Sequence, residues 1–80
     1  MDLQLIKGTF QKNEAWDLIQ KMIGLMIQYH EEKITSTMNE EDIKMRESRI
    51  KQLQKELTTF KKHLDSIEGP ISISSNVEVV

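Results

Sequence analysis

The run Tyr29-His30-Glu31-Glu32-Lys33 holds the richest chemistry in the chain, with a phenol, an imidazole, two carboxylates and an amine side by side. An imidazole in such company can exchange protons near neutral pH, and a guanidinium added to it would complete a small anion or carboxylate site. If the chain doubles back near residue 37, Arg46 comes opposite this run. Tyr29, His30, Glu32 and Arg46 are therefore the candidate polar cluster. A structural role fits the same residues and is preferred: a polar layer inside an apolar seam fixes register while its charged ends reach water.

Metal chemistry has a sharper requirement. Di-iron helical bundles use a Glu-x-x-His pair projecting from one helix face. The residues three before His30 and His63 are Ile27 and Phe60, so no metal site and no cofactor are expected. With no cysteine and no glycine-flanked serine elbow, nucleophilic catalysis has no candidate either. The expectation is a protein that is not an enzyme.

Lys44, Lys51, Lys55 and Lys62 share one flank of a helix at spacings of 7, 4 and 7, which would suit contacts along a phosphate backbone. Glu47 and Asp65 border the same flank, and no aromatic interleaves to stack on bases. A solvated flank with ion pairs explains these lysines better. The overall balance agrees, since eleven basic against thirteen acidic residues give a net charge of −2. Nucleic acid and anionic membranes attract basic excess, and no apolar run is long enough to span a bilayer. The N-terminus lacks the charged and apolar regions of a signal peptide, so a cytoplasmic location is expected.

The elements that must position these groups follow from the breakers. Gly8 and the Gly69-Pro70 pair bracket a stretch interrupted only by Thr35-Ser36-Thr37-Met38-Asn39. This predicts an extended arm over 1–10, a helix over 11–35, a turn over 36–39, a second helix over 40–68 and a C-terminal arm, extended or disordered, over 70–80. Asn39 is a good N-cap, and Glu40, Glu41 and Asp42 favour the positive end of the helix dipole. Met38 and Ile43 have the spacing of a hydrophobic staple. Leu3-Gln4-Leu5, Ile71-Ser72-Ile73 and Val77-Glu78-Val79 alternate with period two, as strands do, and a hairpin would bring the two arms to the same end.

The second helix carries one narrow seam, with Ile43, Ile50, Leu57 and Leu64 seven apart and Arg46, Leu53, Phe60 and Ile67 between them. The first helix is apolar over about 200°, twice what a surface helix needs. Two stripes divide this sector. Leu18, Met22 and Leu25, on the stripe that Tyr29 extends, are grouped with the hairpin seam, although the sequence leaves open which stripe meets the second helix and which meets a partner. Trp16, Ile19, Ile23, Met26, Ile27 and Ile34 are assigned to the core or to a dimer interface. A second copy of the chain is the simplest cover, and another protein docking on the apolar stripe is the alternative.

Ile6-Lys7-Gly8-Thr9-Phe10 before a helix, Tyr29-His30-Glu31 near its end and Arg49-Ile50 in a second charged helix resemble a group of small bacterial helical-hairpin proteins. The resemblance covers residues 5–60 and implies a bacterial source but no activity. The expected fold class is thus all-α: an antiparallel hairpin dimerising into a four-helix bundle, with short extended arms. The expected function is a homodimeric interaction protein or small regulator. A nucleic-acid-associated regulator using the lysine flank and a ligand-responsive bundle using the polar cluster are the alternatives.

Overall fold

The chain runs strand, helix, helix, strand. The computed structural model describes residues 1–80, with β1 over Asp2–Phe10, α1 over Lys12–Lys33, α2 over Glu40–Ser66 and β2 over Ile71–Glu78. The two helices form an antiparallel hairpin, and the strands pair antiparallel into a two-stranded ribbon at its open end. This corrects the all-α expectation: 61% of the chain is helix and 21% is strand, a mixed α/β fold. The arms are not appendages. Once the hairpin forms, Phe10 and Ile71 are held opposite each other, so the loop-closure cost of pairing remote strands falls mainly on the hairpin.

One irregularity sets the faces of the ribbon. Gln4 pairs with Asn76 and Ile6 with Ser75, which leaves Leu5 as the extra residue of a β-bulge. The apolar residues of β1 change phase at this point, from Leu3 and Leu5 to Ile6, Gly8 and Phe10. Without the bulge, Leu3 and Ile6 would fall on opposite faces, because strand side chains alternate. With it, Leu3, Ile6, Gly8 and Phe10 lie opposite Val77, Ser75, Ile73 and Ile71 on a single face. Lys7 and Thr9 lie opposite Ser74 and Ser72 on the other, where the Thr9 and Ser72 hydroxyls are 3.5 Å apart. The outer end of the ribbon closes on Met1, whose ammonium donates to the Val79 carbonyl at 3.0 Å and whose carbonyl accepts from the Val79 N–H at 2.7 Å.

Helix ends follow local chemistry. The Asn39 side chain accepts from the Asp42 N–H at 2.9 Å, satisfying a donor that the helix leaves free. At the start of α1, Glu14 reaches back to accept the Gln11 N–H at 3.1 Å. The C-cap residues Ile34 and Ile67 are extended, and each donates its N–H three residues back, to Glu31 and Leu64. Both helices therefore stop about two residues before the expected ends at 35 and 68. Gly69, expected as the first residue past the helix, lies one step further on with φ of 85°. It serves the turn into β2, and a side chain there would be strained.

Candidate interaction surface

Two contacts fix which side of α1 meets α2. Trp16 stacks on Phe60 with ring centroids 6.4 Å apart, and the Arg46 guanidinium lies 3.1 Å from His30 Nδ1. At 100° per residue, Trp16, Ile19, Ile23, Ile27, His30 and Ile34 fall within an arc of about 80°, so this stripe forms the seam. All six are half-buried. Across from them Leu53 and Leu64 are buried, and Ile43, Arg46, Ile50, Leu57, Phe60 and Ile67 are half-buried. Trp16, Ile19, Ile23, Ile27 and Ile34, grouped in the sequence as core or dimer interface, thus lie inside the hairpin. Lys61 lies 5.0 Å from the Trp16 ring centre, a cation–π contact that closes the open end of the seam. Neither the stacking nor this cover was anticipated. A Trp spaced to meet the C-terminal half of the second helix was the available signal.

The second stripe of α1 is left in solvent over its C-terminal half. Leu18 and Met22 are half-buried, while Leu25 is 66% exposed, Tyr29 49% and Met26 43%. Leu25 had been placed in the hairpin seam; it points away from α2. Ala15 has no exposed surface at all, although it lies on the Leu18–Met22 side, not the seam side. β2 also contacts α1. The molecule is 48 Å long and 31 Å wide, whereas α2 and the ribbon end to end would span about 70 Å, so the ribbon turns away from the hairpin axis. From this corner two apolar arms diverge. Exposure rises along α1 from Ala15 to Leu25, and along the ribbon from buried Ile6 to Leu5, Leu3 and Val77.

The polar cluster assembles in part. His30 bonds Arg46 and makes an edge contact with the Tyr29 ring at 5.5 Å, and Lys33 sits over that ring at 5.5 Å. Glu32 is not brought to Arg46; it accepts from Gln28 at 3.0 Å. Arg46, an always-charged donor, points its guanidinium at His30 Nδ1. The ion pairs Asp17–Lys21, Glu40–Lys44 and Lys61–Asp65 are all exposed i, i+4 pairs, of little energetic weight. Lys44 of the lysine flank belongs to one of them, and Lys51, Lys55 and Lys62 are exposed beside it. No three His, Asp or Glu side chains converge as a metal would require.

What remains is apolar surface. The chain matches no protein-family model, no curated protein and no solved structure. Nothing in those comparisons supports the bacterial source that the resemblance implied. No helix is long and apolar enough to cross a membrane. The geometry of the chain itself is the basis for a functional reading.

Proposed function

We propose that the protein is a non-enzymatic interaction module that works as a homodimer. One observation carries the reading: the single chain does not bury enough of itself. Its accessible surface is 6357 Å², whereas a well-packed monomer of 9.4 kDa exposes about 5,000 Å². The excess of roughly 1,300 Å² exceeds the approximately 800 Å² that each partner contributes to a standard interface. Only Ile6, Ala15, Leu53 and Leu64 are buried. The radius of gyration of 15.2 Å compares with about 12 Å for a compact domain of this length. Small chains without disulfides or metals gain the missing burial by association, and closed two-fold pairing is the commonest form. A cytoplasmic setting belongs to the same proposal and rests on composition alone.

Sedimentation equilibrium at micromolar concentration tests it, with a dimer expected. Leu25→Glu makes the test specific. In an isolated chain this exposed position tolerates a charge, so the variant should remain helical and sediment as a monomer if Leu25 belongs to the interface. A wild-type monomer would sink the reading.

A second reading rests on the open groove where His30, Lys44, Arg46 and Arg49 outnumber the single carboxylate of Asp42 among the lining residues. None of the ion pairs involves Arg46, so a small anion could take that place. A rise in thermal midpoint with inorganic phosphate, abolished by Arg46→Met, would support it. Heparin retention sensitive to salt would favour nucleic acid instead.

A further inference from the structure

The hydrogen bonds of the ribbon decide which backbone groups are left to take another strand. We propose that β2 pairs antiparallel with the β2 of a second copy, about a two-fold axis at Ser75, joining two ribbons into a four-stranded sheet. This inference rests on the homodimer reading.

Three observations carry it. First, Val79 exchanges both of its backbone bonds with Met1. Residues along an antiparallel ladder alternate between such bonded pairs and unbonded ones. Counting back from Val79, the odd-numbered residues of β2 therefore turn their backbone groups to β1, and Ser72, Ser74, Asn76 and Glu78 turn theirs outward. The approach of the Thr9 and Ser72 hydroxyls agrees, because side chains come closer in unbonded pairs. No backbone bond outside the ribbon reaches these four residues, and all four are exposed. Second, the two edges differ in protection. β1 carries Asp2, Lys7 and the bulge at Leu5, the devices that keep natural edges from pairing. β2 has no charge, proline or bulge from Ile71 to Val77. Third, the apolar order of β2 is the same in both directions. Ile71, Ile73, Val77 and Val79 are placed symmetrically about Ser75, with only polar residues between them.

That symmetry selects both the occupant and the register. An axis at Ser75 sets Ile73 beside the partner's Val77 and Ile71 beside the partner's Val79, cross-strand pairs of the stabilising kind. Moving the axis one residue breaks them: at Ser74, Ile73 meets Ser75, and at Asn76, Ser75 meets Val77. The tip of each ribbon, where Val77 is 37% and Val79 48% exposed, thus lies along the half-buried root of the other at Ile71 and Ile73. An unrelated extended peptide needs only the free edge, and the two-fold order of β2 would then match nothing.

The absence of native cysteine gives a clean test in the full chain. Position 75 faces its own copy as an unbonded pair, with Cα atoms about 4.5 Å apart and within disulfide range. Ser75→Cys, oxidised under native conditions, should therefore run mainly as a covalent dimer. Ser72→Cys, more exposed on the same strand but roughly 20 Å from its own copy in this register, should remain a single chain. Ser74→Pro removes an outward N–H and spares the bonds to β1, as proline does on an edge strand. It should sediment as a monomer that keeps the Leu3–Val77 contact by NMR; if it loses the ribbon, the cysteine pair alone decides. If wild type sediments as a dimer but Ser75→Cys cross-links no more than Ser72→Cys, the pairing is overturned while the dimer stands. A Ser74→Pro chain that is dimeric with its ribbon intact overturns it equally. If wild type sediments as a monomer, both fall.

Discussion

Two glycines have opposite reasons for being where they are, and the same substitution should separate them. Gly24 lies inside α1, and a Cβ built there meets nothing within 4 Å. Gly24→Ala should therefore stabilise the protein by about 0.8–1 kcal/mol, the difference in helix propensity. Gly69 holds φ of 85°, so Gly69→Ala should cost roughly 1–2 kcal/mol in left-handed strain. Urea midpoints at one protein concentration would show both, and equal signs would refute the account. The His30–Arg46 contact is a similar matter of single groups. A double-mutant cycle on His30→Ala and Arg46→Met should return a coupling of about 0.5–1.5 kcal/mol. Zero coupling would mean that the two side chains are merely neighbours. Their meeting was legible in the sequence, since a turn near residue 37 sets position 30 opposite 46. The place of Glu32 was not, because an i, i+4 amide competes for its carboxylate.

At the scale of elements, α2 was the most readable part of the chain and β1 the least. Cap, staple and heptad all act locally, so α2 announces its start, its face and, within two residues, its end. β1 is a nine-residue strand, yet its alternation breaks between Leu5 and Ile6 and contains Gly8. It therefore reads as a three-residue fragment followed by a breaker. In the folded ribbon the break is the bulge, and Gly8 stands opposite Ile73 with the Phe10 ring 3.6 Å from where its Cβ would be. Strand pairing of this kind takes its stability from the helices that bring the ends together, not from propensity. That is why the alternation of the two arms did not move the expectation away from an all-α class. The bulge makes a deletion harmless. Removing Leu5 leaves Leu3-Gln4-Ile6-Lys7-Gly8 in uninterrupted alternation, so the variant should keep the Leu3–Val77 and Phe10–Ile71 pairings in cross-strand NMR contacts. Loss of either pairing would show that the extra residue is required. Asn39→Ala removes one cap bond and should cost about 1 kcal/mol, read from the same urea titration.

For the whole molecule, the governing fact is a shape with too much surface. The width of the α1 apolar sector made this visible in the sequence; which stripe would be left over was not, because both have helical spacing and similar bulk. Trp16 decides it by stacking on Phe60. The ribbon also joins the chain ends, since Met1 and Val79 share two hydrogen bonds. A circular permutant joining Val80 to Met1 through a short glycine linker and opening at Ser36 should fold with the same helix content by circular dichroism. Failure to fold would show that the turn at 35–38, which holds the Thr35–Met38 bond, is needed to initiate the hairpin.

The pairing of the first strand with the last also imposes an order in time. During synthesis β1 is complete when Phe10 has been added, but its partner residues follow more than sixty positions later. At about 5–20 residues per second the nascent strand waits for some seconds with both edges unsatisfied. Lys7 near the centre of β1 and Asp2 at its tip are the charges that guard it in that interval, as charges guard natural edge strands. A chain carrying Lys7→Val would reach the same final ribbon, and its defect would appear earlier, as aggregation on the ribosome and a lower yield of soluble protein.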